Sequence, residues 1–318
     1  MKICVAGQGA FGQKHLDALK RIAGVEITSL VGGNQDATAE VARKYGIPHH
    51  TGDLGEGIRR ADAVILATPT KLHFRQGEQV MRAGKHVLVE IPVTDSVEDS
   101  ENLVRIAKET GVTAMGGHVR RFNPSHQWVN KRIRKGELKI QQMDVQTYFF
   151  RRRNISATGA PRTWTDHLLW HHAAHTIDLF HYQTGETISD CYAVQGPPHP
   201  DLKIAMDVGI VAKVASGAIL TLSLSFNNDG PIGSFFRYIC DNGTYQAYYD
   251  DLFDGKDNKI DVSKVDVSMD GIELIDREFI AAITEKREPN ASLAQVLPCM
   301  RVLGRLEHMI DPERRAHA

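Results

Sequence analysis

The chain begins with the run Ile3-Cys4-Val5-Ala6-Gly7-Gln8-Gly9-Ala10-Phe11-Gly12, a short apolar segment followed by glycines in the spacing G-x-G-x-x-G. Apolar residues at helical spacing continue over 11–22. Between a strand and a helix, the first glycine permits a tight turn, the second admits a pyrophosphate to the backbone, and the third lets helix and strand pack closely. The helix N-terminus adds amide donors and partial positive charge. The run predicts a dinucleotide site at Gly7, Gly9, Ala10, Phe11 and Gly12.

Short apolar runs and amphipathic runs alternate up to residue 118. Strands are predicted over 25–31, 63–67, 86–89 and 112–115, and helices over 37–45, 73–83 and 95–110. Asp95, with Glu98 three residues further on, has the form of a capping box at the start of the last helix. This alternation predicts a Rossmann-type, doubly wound parallel sheet in an α/β domain over 1–119.

The second part of the chain is dominated by strands. They are predicted over 141–150, 191–194, 206–214, 218–226, 235–240 and 245–249, with helices over 165–182 and 276–310, the latter broken near Pro289. Strict alternation over 221–226 predicts a sheet with one polar face, either solvated or paired with a second copy. We expect an α+β domain over 120–318, built on a large, mainly antiparallel, open-faced sheet. This domain would bind substrate and form a homodimer, with the active site between the two domains.

The composition excludes several classes of protein. The 318 residues carry 38 basic and 39 acidic side chains, a net charge of −1, so no nucleic acid or anionic membrane partner is expected. No apolar run reaches the roughly 18–20 residues of a membrane span. The four cysteines form neither a Cys-x-x-Cys pair nor a zinc pattern, so we expect a cytoplasmic protein with reduced thiols.

The end of the second predicted strand bears on the choice of nucleotide. The sequence there is Val31-Gly32-Gly33-Asn34-Gln35, with no Asp or Glu to bind the ribose diol of NAD. A 2′-phosphate would not be repelled, and the Gly33 amide and the Asn34 side chain can donate to it, although no arginine is present. We predict NADP as the cofactor, with NAD also accepted as the alternative.

Two further segments carry a resemblance to a known family. They are Ala67-Thr68-Pro69-Thr70 followed by His73, and the run Ala83-Gly84-Lys85-His86-Val87-Leu88-Val89-Glu90-Ile91-Pro92. Both resemble the Gfo/Idh/MocA oxidoreductases, in which such segments lie at the nicotinamide. The resemblance implies that Thr68, Pro69, His73, Glu90 and Ile91 contact the cofactor. Most members of this family have Lys where Ile91 stands, so their sugar-alcohol mechanism does not transfer unchanged.

Residues 141–152 and 165–175 resemble one subgroup of this family more specifically. The subgroup oxidises the cyclic hemiacetal of a protocatechuate 4,5-cleavage product to a lactone, which implies a small di- or tricarboxylate as the substrate here. Two alternatives stay open. One is a sugar or cyclitol dehydrogenase of the same family, and the other is a non-catalytic protein that senses NADP.

A hemiacetal hydroxyl is more acidic than an ordinary secondary alcohol, so one general base can suffice without the lysine. The resemblance favours His175 as this base, with His171 as the competitor. On an α-helix His171, His175 and Asp178 share one face, where Asp178 would fix the imidazole tautomer or anchor the helix. The spacing of the two histidines also suits a metal, but no carboxylate ligand is evident, and no metal is predicted.

A substrate with several carboxylates needs cationic partners, preferably arginines. Arginines are concentrated at Arg120-Arg121, Arg151-Arg152-Arg153 and Arg162. Alternation along a strand prevents all of 151–153 from facing one ligand, and some of these side chains would form a solvated basic patch. We predict that Arg121, Arg162, Arg152 and His172 contact the substrate.

Overall fold

The computed structural model describes residues 1–155, 166–262 and 271–310. The chain divides into two compact units, one of Met1–His118 with Ile272–Leu297, and one of Val119–Gly271 with the residues from Pro298 onward. The sequence predicts domains over 1–119 and 120–318; in this division the second unit begins at Val119, and Ile272–Leu297 belong to the first unit. Residues from Ile272 return to the first unit, where Ile275, Phe279 and Ala282 are fully buried.

The first unit is a parallel α/β fold. Its elements are β1 (Lys2–Ala6), α1 (Ala10–Leu19), β2 (Glu26–Val31), α2 (Gln35–Tyr45), β3 (His50–Thr51), α3 (Leu54–Arg59), β4 (Ala63–Leu66), α4 (His73–Arg82), β5 (His86–Val89), α5 (Val97–Thr110) and β6 (Ala114–Gly116). The sheet has six strands in the order β3-β2-β1-β4-β5-β6, and all its pairs are parallel. This confirms the doubly wound sheet, whose strand order reverses between β1 and β4, where such sheets bind nucleotides.

The continuous apolar runs of the sequence became strands covered on both faces. Every residue of β4, Ala63–Leu66, is fully buried, as expected for a central parallel strand. In α1 the buried side chains include His15, Leu16 and Leu19, which form one face at helical spacing. These two elements hold the loop between β1 and α1 at the carboxyl end of the sheet.

Three local features of the first unit differ from the sequence prediction. The short elements β3 and α3 were not predicted, because β3 has two residues and α3 contains two glycines in six. The N-cap of α5 is Ser96, whose hydroxyl accepts from the Asp99 amide at 3.2 Å, and not Asp95. The predicted capping box is therefore wrong, since the helix begins one residue later.

The second unit is built on one large sheet. Its elements are α6 (Pro124–Arg134), β7 (Ile140–Tyr148), a π-helical turn (Leu168–Ala173), α7 (Ala174–Thr184), β8 (Ile188–Gln195), β9 (Asp207–Val214), β10 (Ile219–Ser225), β11 (Gly233–Cys240), β12 (Gly243–Tyr248), β13 (Asp251–Asp254) and β14 (Lys259–Ile260). The eight strands that the structure describes here run in the order β14-β13-β12-β11-β7-β10-β9-β8, and among them only the β7–β10 pair is parallel. The predicted mainly antiparallel sheet is confirmed.

The two faces of this sheet differ, as the alternating sequence indicates. Inward residues of β10, such as Leu220, Leu222 and Leu224, are buried, whereas the outward face carries the exposed side chains Tyr192 and Val211. Helix α6 was not predicted, because its sequence is rich in charged and polar residues. The last two helices are α8 (Ile272–Glu285) and α9 (Leu293–Ile310), and the division between the units falls within α9.

None of the helices that the structure describes is long and apolar enough to cross a membrane.

Candidate active site

The glycine loop between β1 and α1 has the shape that a dinucleotide phosphate needs. Gly7 has φ +123°, and a Cβ there would lie 2.3 Å from the Ala67 carbonyl oxygen, while a Cβ on Gly12 would lie 1.7 Å from the Gly7 oxygen. Both positions therefore exclude any side chain. Around Gly9 no atom lies within 4 Å of a built Cβ, and the first turn of α1 has no acidic residue and no side-chain cap. The loop and the bare helix N-terminus fit a nucleotide diphosphate.

Gly9→Ala is expected to separate cofactor binding from folding. Its backbone is extended, with φ −73° and ψ −172°, so alanine is tolerated and the free energy of unfolding should stay unchanged. The new methyl group fills the open space that a pyrophosphate would use, so the Kd for NAD(P)H should rise about tenfold or more, roughly 1.4 kcal/mol. Fluorescence titration and chemical denaturation measure the two quantities. Gly12→Ala is the comparison, and it should lose both cofactor affinity and folding stability. Unchanged cofactor affinity in Gly9→Ala would contradict this site.

Asn34, predicted to contact the ribose, is also the N-cap of α2. Its Oδ1 accepts from the Ala37 amide at 3.0 Å, which fixes the side chain and leaves only its Nδ2 to donate to a ligand. Gly33 and Asn34 are both exposed at the end of β2. In Rossmann folds the end of β2 decides nucleotide selectivity. At that place this chain offers the Nδ2 donor of Asn34 and has no acidic residue on the strand end.

His73, predicted to line the cofactor channel, is buried and joins two loops. Its Nδ1 lies 2.8 Å from the Pro92 carbonyl oxygen and its Nε2 lies 2.7 Å from the Thr68 carbonyl oxygen. Thr68 in turn donates from its hydroxyl to Gln76 at 2.5 Å. The histidine therefore holds the turn at Pro69 against the Ile91-Pro92 segment and orders both loops.

Sequence reasoning missed a buried charge cluster behind Glu90. His15 is fully buried, with Nδ1 2.8 Å from Asp276 Oδ1 and Nε2 2.9 Å from Glu90 Oε1. Burial alone would lower the pKa of His15, but the carboxylates of Asp276 and Glu90 raise it to about 10. The imidazolium donates to both carboxylates, while Glu90 Oε2 accepts from the Ile91 amide at 3.1 Å. Both oxygens of Glu90 thus position the Glu90-Ile91-Pro92 segment.

The raised pKa of His15 predicts a specific loss of stability in alkali. The unfolded-state value is about 6.5 and the folded-state value is about 10, so its stabilisation is fully present below pH 6.5 and is lost as the pH rises to 10. Between pH 7 and 10 the unfolding free energy of the wild type should therefore fall more steeply than that of the double variant His15→Gln with Asp276→Asn. Urea denaturation at several pH values measures both slopes, and equal slopes would contradict a charged His15.

Arg121 and Asp178 form a buried ion pair within the second unit. Arg121 donates from Nε to Asp178 Oδ2 and from Nη2 to Asp178 Oδ1, both at 2.7 Å, and the two side chains are 4% and 1% exposed. The Arg121 guanidinium also stacks on Tyr182, 4.9 Å from the ring centre. The sequence predicts that Arg121 binds substrate and that Asp178 assists catalysis, but in the structure the two side chains form an ion pair with each other. The pair anchors α7 to the segment before α6.

The histidines of the predicted catalytic helix do not lie on one regular α-helix. A π-helical turn covers Leu168–Ala173, and α7 begins only at Ala174, so the uninterrupted helix over 165–182 is corrected. Such turns are frequent at functional sites. His171 Nδ1 accepts from the His167 amide at 3.0 Å, which places the proton of its neutral ring on Nε2. His175 lies partly exposed in the first turn of α7.

His172 is packed between aromatic rings. Its ring centre is 5.2 Å from those of both Phe149 and Phe226. Burial lowers its pKa to about 3, with the charges of His171, Arg151 and Arg120 adding to the effect against the opposing carboxylate of Asp166. His172 is therefore neutral at physiological pH and can offer a ligand a hydrogen bond but no charge.

The other predicted substrate arginines differ in their settings. Arg152 is exposed, donates to Asn227 Oδ1 at 2.5 Å and stacks on Phe150. Its neighbour Arg151 pairs with Asp166 at 2.5 Å. Arg162 lies outside the described residues. Sequence reasoning passed over Arg120, which the structure buries on the inner face of the sheet, and its only sequence signal was its place in the arginine pair at 120–121.

Comparison with known proteins agrees with this architecture. Residues 1–118 match the model of the oxidoreductase family with an NAD-binding Rossmann fold (Gfo/Idh/MocA), and residues 124–266 match that of the C-terminal domain of bacterial oxidoreductases. The parallel sheet with its glycine cradle and the large mixed sheet define an oxidoreductase of this kind, and the chain belongs to the Gfo/Idh/MocA family.

One relative is similar over nearly the whole chain. The 4-carboxy-2-hydroxymuconate-6-semialdehyde dehydrogenase of Sphingobium sp. is 62% identical over 315 residues, which cover 98% of this chain and 100% of the relative. Among solved structures, a UDP-N-acetylglucosamine 3-dehydrogenase from Acidithiobacillus ferrooxidans matches with a TM-score of 0.85 at 20% identity over 98% of each chain. An oxidoreductase from Agrobacterium radiobacter in complex with NAD+, L-tartaric acid and magnesium gives a TM-score of 0.83 at 16% identity, over 97% of this chain and 96% of that one. These two structures support the fold.

Proposed function

We propose that this oxidoreductase oxidises the cyclic hemiacetal of 4-carboxy-2-hydroxymuconate-6-semialdehyde to 2-pyrone-4,6-dicarboxylate. The observation that carries the proposal is the 62% identity to a dehydrogenase of that name over 98% of the chain. The glycine cradle supports it independently, since the loop and helix N-terminus fit the diphosphate of a nicotinamide dinucleotide. When bound, that cofactor supplies the hydride acceptor.

His175 is the general base in this proposal. It removes the proton of the hemiacetal hydroxyl as the hydride leaves the same carbon, and the carbon–oxygen double bond of the lactone forms. His175 is favoured over His171 because His171 Nδ1 already accepts a backbone hydrogen bond, so its neutral ring carries the proton on Nε2 and has no lone pair to offer there. The ordinary pKa of histidine, about 6.5, suits proton acceptance at neutral pH.

Ile91 marks the main chemical difference from most of the family. It follows Glu90 in a segment that His15 and His73 hold in place through Glu90 and Pro92. Where relatives have the family's lysine, this chain therefore presents an apolar side chain on a well-ordered loop. A hemiacetal hydroxyl is acidic enough to be deprotonated without an ammonium group beside it, so the substitution fits the proposed substrate.

We further propose NADP as the preferred cofactor, with NAD also accepted. The proposal is supported by the strand end at Gly33 and Asn34, which offers an amide and a carboxamide donor and no acidic side chain on the strand itself. Kd values for NADPH and NADH from the same titration test it, and tighter binding of NADH would refute it.

The outward face of the second unit's sheet is proposed to pair with a second copy of the chain. Tyr192 and Val211 lie opposite each other in register on β8 and β9 and are 65% and 52% exposed, with Val194 55% exposed beside them. Apolar side chains of this size, exposed on the two strands at one end of an open sheet, favour burial in a dimer. Light scattering of the purified protein measures the mass, and a monomer would refute this. A cytoplasmic location is proposed as well, supported by four free cysteines.

The direct test is a reaction with the ring-cleavage product. Purified protein, NADP+ or NAD+, and the semialdehyde should give an absorbance rise at 340 nm with stoichiometric formation of the pyrone dicarboxylate. Inositols and simple sugars serve as the comparison and should react much more slowly. Turnover of a cyclitol without turnover of the semialdehyde would replace the proposal with the sugar alternative, and binding of cofactor without any turnover would favour a sensing role.

A further inference from the structure

The structure points to Arg120 as the receptor for a substrate carboxylate, and we propose that it forms the core of a polycarboxylate site on the inner face of the second unit's sheet. The inference deepens the proposed function and rests on it for the identity of the natural ligand. The sequence predicts carboxylate binding by Arg121, and we assign this role to Arg120 instead.

Arg120 is a buried cation to which no carboxylate of the described residues is bound. Its side chain is nine-tenths buried, and among the described residues no Asp or Glu lies within ion-pair distance. Its hydrogen bonds go to neutral groups: from Nη1 to Asn123 Oδ1 at 3.4 Å, from Nη2 to Ser234 Oγ at 3.3 Å, and to the side chain of Tyr249. Its Nε has no partner in the described part of the chain. Arg121 next to it has a full bidentate ion pair, so the two arginines have different roles.

The surroundings of Arg120 hold it without neutralising it. The guanidinium lies 4.6 Å from the ring centre of Tyr249 and 5.9 Å from that of Phe236. The carboxylate of Asp250 acts on Arg120 electrostatically and raises its pKa, while Asp250 Oδ1 accepts from Asn123 Nδ2 at 2.9 Å. Burial lowers the pKa of Arg120, yet arginine stays charged in proteins. A planar, charged guanidinium whose N–H donors are not all used is well suited to bind a carboxylate.

Two neutral histidines complete the site. The charge of Arg120 helps lower the pKa of both His126 and His172, after the larger effect of burial, so both stand within its electrostatic reach. His126 Nδ1 is 2.8 Å from the Tyr238 hydroxyl, and its Nε2 has no hydrogen-bond partner in the described residues. The Nε2 of His172 has no hydrogen bond there either, with Asp166 Oδ2 4.0 Å away. Buried polar atoms are normally hydrogen-bonded. Unpaired atoms on Arg120, His126 and His172 therefore indicate a polar ligand with acceptor oxygens.

The chemistry of the site selects one class of ligand. One delocalised cation surrounded by aromatic rings and neutral imidazoles suits a carboxylate on a flat ring. The other cation near His172, Arg151, is already paired with Asp166 at 2.5 Å, so the described residues offer no second unpaired cation for a phosphate dianion. The hydroxyls of Ser234 and Thr147, joined by a hydrogen bond of 3.1 Å, lie beside the guanidinium and can reorient towards a bound oxygen. We therefore assign one ring carboxylate of the substrate to Arg120.

The experiment compares Arg120→Met with Arg237→Met, a matched variant on the outward face of β11. Calorimetry with isophthalate and with 2-pyrone-4,6-dicarboxylate, in the absence of cofactor, measures binding apart from turnover. Arg120→Met should bind both about 30-fold more weakly or worse, as expected when a charge-assisted hydrogen bond is lost. Arg120→Lys should recover part of the affinity, and Arg237→Met should bind like the wild type.

The outcomes separate a binding role from a structural one. Because Arg120 forms no ion pair within the described part of the chain, Arg120→Met should keep the melting temperature of the wild type. Both dicarboxylates should raise the melting temperature of the wild type and not that of the variant. Equal affinity of Arg120→Met and the wild type, or no binding by the wild type, would overturn the assignment. Dicarboxylate binding that depends on Arg120 in a protein that does not oxidise the semialdehyde would instead refute the proposed function and leave the carboxylate site standing.

Discussion

His175→Gln is expected to lower kcat by about 10²–10⁴-fold, the usual contribution of a general base, and to leave the Kd for the cofactor nearly unchanged. Glutamine keeps a hydrogen-bonding side chain of similar length but cannot take up a proton. The side chain lies partly exposed at the start of α7, so its replacement should not perturb the core. Steady-state rates at 340 nm and fluorescence titration of NADPH measure the two effects.

The matched variant is His171→Gln. It should lower kcat less, because the Nδ1 of His171 accepts a hydrogen bond from the His167 amide. The pH profile gives a second readout. The rise of kcat/KM with an apparent pKa near that of an imidazole should be present in the wild type and absent in His175→Gln. If His175→Gln retained full kcat while His171→Gln lost it, the two histidines would exchange roles. Full kcat in both variants would contradict any histidine base.

Asp178→Ala is expected to destabilise the second unit by about 3–5 kcal/mol, the usual cost of breaking a buried ion pair from one side. The reason is that the variant leaves the Arg121 guanidinium, only 4% exposed, without the two charge-assisted hydrogen bonds that Asp178 accepts. Unfolding in urea, followed by tryptophan fluorescence, measures the loss, because Trp128 and Trp170 both lie in this unit.

The control is the double variant Arg121→Met with Asp178→Leu. Replacing both partners by apolar side chains of similar size removes the unpaired charge, so the double variant should be much more stable than Asp178→Ala. Similar stability of Asp178→Ala and the wild type would show that Asp178 does not anchor α7 and would return it to the catalytic candidates.

Patterns that depend on near neighbours predicted most of the fold. The glycine spacing at Gly7, Gly9 and Gly12 and the apolar runs of β1, β4 and β5 are local signals, and each became the expected element. The missed elements α3 and α6 lack such signals, since one contains two glycines and the other is mostly polar. The start of α5 shifted from Asp95 to Ser96 because either residue type caps a helix, and only the packed backbone selects between them.

The site was harder to predict because its contacts join distant positions. The His15–Asp276 pair spans 261 residues, and it depends on the return of α8 to the first unit, for which the sequence has no signal. Arg121 and Asp178 were both predicted as functional, but they are 57 residues apart and their mutual ion pair was not foreseen. Arg120 and Arg121 are adjacent in sequence and both are buried, so only their partners among the described residues distinguish them: Arg121 has an ion pair there and Arg120 has none.

The central claim is that the hemiacetal carbon gives up its hydrogen as hydride without the help of a lysine. Semialdehyde carrying deuterium at the aldehyde carbon, reacted with the purified protein and NADP+, tests it most directly by mass spectrometry of both products. We predict one deuterium in each molecule of reduced cofactor and none in the pyrone dicarboxylate. Deuterium retained in the organic product, or a reduced cofactor free of label, would contradict the account.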